Sequence, residues 1–123
     1  MAEELTGKRI LLVEDEYMLA ADLMRFLSAL GVSVVGPAGT LPSALALVQP
    51  GRLDAAILDI NLHKERSYPV ADALLALDVP IVFTTGYDEL LMARAYVGLP
   101  RCQKPIDKEA LAKMLVRILS PQP

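Results

Sequence analysis

The chain has 123 residues, enough for one compact domain, with 54% hydrophobic and 22% charged residues, a formal net charge of −3 and a single cysteine, Cys102. This composition excludes a disordered tail, and no apolar run approaches the roughly 18 residues of a membrane span. Scattered Lys and Arg set aside a nucleic-acid face, and one cysteine sets aside an internal disulfide and a cysteine-based zinc site. In chain order, Met1 to Leu5 is an acidic start without the basic and apolar regions of an export signal, so a soluble, cytoplasmic protein is expected.

Ile10 to Val13 is a short, continuous apolar run, the pattern of a strand covered on both faces. Leu19, Leu23, Phe26, Leu27 and Leu30 then fall on one helical stripe, closed by Gly31. Val32 to Val35 reads as a second strand, and Thr40 to Val48, led by Thr40 and Pro42, as a short helix. Ala55 to Leu58 is the third strand, followed by a helix carrying Val70, Ala73, Leu74 and Leu77. Pro80 introduces the fourth strand, Ile81 to Phe83. Glu89 to Tyr96 has spacing compatible with a helix, between Gly86 and the Gly98-Pro100 turn. Arg101 to Gln103 is a weaker fifth strand, and Asp107 caps a last helix bearing Leu111, Leu115, Ile118 and Leu119. Five βα units imply a parallel α/β sheet, and residues 1–123 read as a single domain.

Ligands bind such sheets at the carboxyl ends of the strands, beside the point where strand order reverses. Polar residues gather there: Glu14 and Asp15 after the first strand, Asp59 after the third, Thr84 and Thr85 at the end of the fourth, and Lys104 with Pro105 after the fifth. Three carboxylates on one rim repel one another unless a cation joins them, and hard oxygen ligands with an open coordination sphere suit Mg²⁺. A central carboxylate, Asp59, can attack phosphorus, with a metal ion, the Lys104 ammonium and a threonine hydroxyl surrounding the transferring oxygens.

On these residues the chain resembles, over essentially its whole length, the receiver domain of two-component response regulators. The resemblance implies a doubly wound (βα)5 flavodoxin-like fold with strand order 2-1-3-4-5 and helices on both faces. Matched residue by residue, the family's acidic pair falls on Glu14 and Asp15, its phosphoacceptor on Asp59, its hydroxyl residue on Thr85 and its lysine on Lys104. It also implies a metal contact from the backbone carbonyl of Asn61 and a cis peptide bond between Lys104 and Pro105. The implied partners are a histidine kinase or a histidine phosphotransfer protein, with a downstream protein target, neither nucleic acid nor membrane, and no enzymatic turnover. One position departs from the family: Arg101 stands three residues before the lysine, where many receivers carry a switch Tyr or Phe. Phe83-Thr84-Thr85-Gly86-Tyr87 looks like a subgroup with a Phe-Ala-Thr-Gly-type motif after the fourth strand. The switch is therefore expected to run through Thr84, Thr85 and the Gly86-Tyr87 loop. Gly86 reads either as the source of that loop's freedom or as a simple turn.

Other readings fare worse. A flavin phosphate would be repelled by Glu14-Asp15-Glu16, and an aspartyl phosphohydrolase would carry its Asp-x-Asp pair after the first strand. A receiver-shaped adaptor that binds a partner without phosphorylation is the alternative in a different class, and intact Asp59, Thr85 and Lys104 argue against it. His63, in a charged loop, reads as a solvated surface residue and Cys102 as a small core residue. Met92 and Tyr96 fit either packing on the sheet or a partner surface.

Overall fold

The computed structural model describes residues 2–63, 65–86, 96 and 98–120. A short 3-10 turn, Ala2–Leu5, leads into β1 (Arg9–Val13), α1 (Tyr17–Ala29), β2 (Ser33–Ala38), α2 (Leu41–Leu47) and β3 (Ala55–Asp59). There follow β4 (Asn61–Leu62), β5 (Glu65–Arg66), α3 (Tyr68–Ala76), β6 (Ile81–Thr85), β7 (Arg101–Gln103) and α4 (Lys108–Leu119). Five strands form one sheet in the order β2-β1-β3-β6-β7 with every pairing parallel, which is the expected doubly wound, flavodoxin-like arrangement. The small antiparallel β4-β5 pair is an addition that two-residue strands give no pattern to reveal.

The continuous apolar runs are explained by two cores, one on each face of the sheet. Leu11, Val13, Ala56, Leu58, Ile81 and Phe83 pack with Ala44 of α2 and Val70, Ala71 and Leu74 of α3. The alternate strand residues Ile10, Leu12, Ala55, Ile57, Val82 and Cys102 pack with Leu23 and Leu27 of α1 and Leu111 and Leu115 of α4. Burying each Leu or Ile contributes about 1.5–3 kcal/mol, so neither face can be left polar without losing its helices. Cys102 is a buried core residue whose Sγ lies 3.4 Å from Met114 Sδ.

Helix ends follow local chemistry. After α1, Gly31 (φ +86) donates to the Ser28 carbonyl and Val32 to that of Leu27, which closes the last turn in a Schellman motif. Leu30 is therefore a cap rather than a helical residue, as are Val48 after α2 and Leu77 after α3. Asp78 (φ 58) makes the same pair of bonds after α3, to Leu75 and, through Val79, to Leu74. Thr40 and Ser43 form a reciprocal capping box on α2, and Asp107 accepts from the Glu109 and Ala110 amides at the start of α4.

Strand β2 runs past the expected end at Val35 to Ala38. Its register against β1 skips between Leu11 and Val13, and Gly36 (φ +105) fills the skip, where a Cβ would lie 2.8 Å from the Leu12 carbonyl oxygen. Pairing resumes at Ala38, whose carbonyl accepts the Glu14 amide at 2.9 Å and so fixes Glu14 at the rim. The Gly36-Pro37 and Lys104-Pro105 peptide bonds are cis, the second as the family resemblance implies.

The helix expected over Glu89 to Tyr96, Met92 included, lies outside the described residues except for Tyr96. That residue is buried, its ring stacked on Tyr68 at 4.5 Å and edge-on to Phe83 at 6.0 Å, with its hydroxyl donating to the Asp72 carboxylate. Of its two readings, packing holds. Gly86 does not use the left-handed region, and a Cβ there would meet nothing within 4 Å. Its conformational freedom is therefore not exploited in this structure. Among the described residues no helix is long and apolar enough to cross a membrane.

Candidate functional site

The order of the sheet reverses between β1 and β3, and the rim residues meet at that point. Asp59 is the last residue of β3, paired in register with Thr84 of β6, while Glu14 and Asp15 leave β1. Lys104, just beyond β7, is tied to the end of β6 by its amide, which donates to the Thr85 carbonyl at 2.8 Å. From there its Nζ reaches Asp59 Oδ2 at 3.1 Å, Glu14 Oε1 at 3.2 Å and Glu16 Oε2 at 2.8 Å. Carboxylate oxygens of Glu14, Asp15 and Asp59 lie within 4.8 Å of one another.

Backbone amides hold the acids in place. The Asn61 amide donates to Asp59 Oδ1 at 3.1 Å, the Glu16 amide to Glu14 Oε2 at 3.0 Å, and the His63 amide to Asp15 Oδ2 at 2.7 Å. The last bond comes from the β4-β5 turn, where His63 takes φ 58 and the Asn61 side chain accepts from Arg66 Nη1 at 3.3 Å. His63 is thus exposed in its side chain, as expected, yet its main chain orients Asp15.

Electrostatics explains why the pocket favours added positive charge. Glu14 and Asp59 are almost fully buried, so desolvation pushes both carboxyls up, Glu14 to about 7, and the charge of Asp59 adds to the rise at Glu14. Accepted amide bonds and Lys104 offset this only in part. Burial works against the Lys104 charge too, but the hydrogen bond to Glu16 and the charges of Asp59 and Glu14 hold its pKa above the ordinary value. One ammonium therefore serves three carboxylates; at Glu14 its hydrogen bond goes to Oε2 at 3.3 Å, and the buried Oε1, 3.2 Å from the same ammonium, accepts no hydrogen bond from the described residues. An oxygen-only cluster with an unsatisfied buried oxygen matches a hard divalent cation.

The structure brings Glu14, Asp15, Asp59 and Lys104 together and sets Thr84 and Thr85 on the next strand, both buried, with Thr84 Oγ1 lacking a hydrogen-bond partner among the described residues. Asn61 adjoins through its main chain, and Pro105 follows Lys104 across a cis peptide bond. Arg101 sits exposed at the start of β7, in register with Phe83. Tyr87 lies outside the described residues. Glu16 and the His63 amide are the site groups that sequence reasoning missed; the unbroken Glu14-Asp15-Glu16 run was the available signal for the first, and nothing local marks the second.

Comparison with known proteins agrees with the geometry. The family model described as response regulator receiver domain matches residues 10–116. The solution structure of SdrG from Sphingomonas melonis Fr1 superposes with a TM-score of 0.81 at 43% identity, covering 95% of this chain and 98% of that one. The sensory transduction protein LytT of Bacillus cereus is 33% identical over 112 residues, which is 87% of this chain and 45% of LytT. The phyllosphere-induced regulator PhyR of Methylorubrum extorquens is 36% identical over 83 residues, 65% of this chain and 31% of PhyR. The chain thus spans less than half the length of these curated relatives. A doubly wound sheet, an acidic rim answered by one lysine, and a family match over residues 10–116 converge on one conclusion: this chain belongs to the response regulator receiver domain family.

Proposed function

We propose that residues 1–123 act as one phosphoacceptor module that takes a phosphoryl group onto Asp59 from a phosphohistidine of a histidine kinase or histidine phosphotransfer protein, and signals by protein contact. Receiver domains bind Mg²⁺ at an acidic pocket, and Glu14, Asp15 and Asp59 form such a cluster here. In this reading those carboxylates and the Asn61 backbone carbonyl hold Mg²⁺, which when bound neutralises charge on the transferring group.

The observation that carries the proposal is the 3.1 Å contact between Lys104 Nζ and Asp59 Oδ2 inside the acidic trio. Asp59 attacks phosphorus, its Oδ–P bond forming as the donor's N–P bond breaks, and the imidazole leaves with the electron pair. Lys104 stabilises negative charge on the phosphoryl oxygens, and Thr85 donates a hydroxyl hydrogen bond to them. The domain assists its own phosphorylation and dephosphorylation without being a turnover enzyme. Signalling is assigned to Thr84, Thr85 and the Gly86-Tyr87 loop, in the manner of the Phe-Ala-Thr-Gly-type subgroup, with Arg101 in the place of a rotating aromatic and Pro105 positioning Lys104. Similarity at 41% identity to the BeF3-activated conformation of SdrG supports a site that responds to a phosphoryl-like ligand. The expected location is the cytoplasm.

The test is uptake of a phosphoryl group from acetyl phosphate, with Mg²⁺ or with a chelator, in the wild-type and Asp59→Asn proteins. Uptake confined to wild type with Mg²⁺ supports the reading; a folded wild-type protein that takes up none favours the unphosphorylated adaptor.

A further inference from the structure

Lys104 offers three N–H donors and no acceptor, and Glu14, Asp59 and Glu16 occupy all three directions. The three acceptors are not equivalent. Glu14 and Asp59 side chains are 1% and 3% exposed, whereas that of Glu16 is 61% exposed and yet makes the shortest contact, 2.8 Å against 3.1 and 3.2 Å. Glu16 also occupies the N-cap position of α1 without placing its side chain on any α1 amide, the use an acidic residue usually has there. Its carboxylate is turned to Lys104 instead.

We infer that Glu16 is a positioning residue that retains the Lys104 ammonium at the mouth of the pocket and must release it before Lys104 can engage a phosphoryl oxygen, so that Glu16 limits the rate of uptake at Asp59. This inference rests on the proposed phosphoacceptor role and adds to it a residue outside the acidic pair, the acceptor and the lysine. A phosphoryl oxygen arriving on Asp59 has to displace one of the three acceptors from Lys104. Of the two acceptors that remain free carboxylates once Asp59 carries the phosphoryl group, Glu16 is the one whose loss is less costly, because it returns to water whereas Glu14 would be left buried without its donor. The Glu16 charge also repels an incoming anionic donor, which acts in the same direction.

The experiment compares wild type with Glu16→Gln, using acetyl phosphate as donor; the donor P–O bond breaks, acetate leaves with the electron pair, and the Asp59 Oδ–P bond forms. Initial uptake is measured across Mg²⁺ concentrations and at about 0.05 and 0.5 M salt, where the screening length falls to a few ångström. An exposed ion pair of this kind predicts uptake about two- to fivefold faster in Glu16→Gln at low salt, with the ratio shrinking toward one at high salt. The Mg²⁺ concentration for half-maximal rate stays the same, as a residue acting through Lys104 rather than on the metal requires. Equal or slower uptake, a gain undiminished by salt, or a comparable shift in half-maximal Mg²⁺ overturns the inference alone. Absence of uptake in both proteins overturns the phosphoacceptor reading, and this inference with it.

Discussion

Raising pH should destabilise the metal-free protein across a range where most domains are indifferent to it. Glu14 is buried and pushed to about 7, chiefly by desolvation, and Asp59 is raised for the same first reason. Both carboxyls hold a proton more tightly folded than unfolded, so the native state binds more protons between the ordinary carboxylate range and about pH 7. The stability tied to them is complete below the unfolded pKa and is lost as pH rises through the folded one. At about 1.4 kcal/mol per tenfold change in proton affinity, Glu14 alone accounts for at most about 3 kcal/mol, and Asp59 adds in the same direction. About 2 kcal/mol of this is lost above pH 5.5, which for a domain of this size corresponds to a fall in Tm of roughly 7 °C. The assay is thermal unfolding in chelator from pH 5.5 to 8.5. This window lies above the acid loss expected from Asp22, whose pKa the Lys108 contact lowers. Glu14→Gln should flatten the profile, and Mg²⁺ should restore most of the loss at pH 8.5. A flat or rising wild-type profile, or one unchanged in Glu14→Gln, would refute the argument that burial and mutual repulsion strain this carboxylate pair.

Asp15→Ala should weaken Mg²⁺ binding by about tenfold or more in calorimetric titration, since it removes one carboxylate of the trio and leaves the His63 amide without its acceptor; an unchanged isotherm would count against the metal site. Asp78→Gly should raise the urea midpoint by about 0.5–1 kcal/mol of stability with no change in m-value, because Asp78 holds φ 58 at the end of α3 where glycine is unstrained. A lower midpoint would mean that the aspartate side chain itself contributes.

Much of this was legible in the sequence. The strands could be read because helices cover both faces, which turns β1, β3 and β6 into unbroken apolar runs, and the site could be read because Glu14 and Asp59 directly follow such runs, with Lys104 after the weaker strand β7. Where local chemistry and tertiary pairing disagree, the reading stopped short. Gly36-Pro37 looks like the end of β2, yet the ladder steps over it and resumes at Ala38 to set Glu14 at the rim. Glu16 looks like one more acid in a repulsive run until Lys104, distant in sequence, is brought against it. The His63 amide owes its role to a two-residue pairing with no periodicity. Tyr96 could not be assigned to core or surface without its neighbours Tyr68, Phe83 and Asp72, which come from other elements.

The central claim, that Asp59 is the phosphoacceptor, is tested most directly by its chemistry. An acyl phosphate is reduced by borohydride to an alcohol, which converts an acceptor aspartate into homoserine at its place in the chain. Peptide mapping of protein treated with acetyl phosphate and Mg²⁺, then borohydride, should find homoserine at position 59 and at no other aspartate, with none when Mg²⁺ is withheld. Homoserine at position 15 with Asp59 intact would contradict the account.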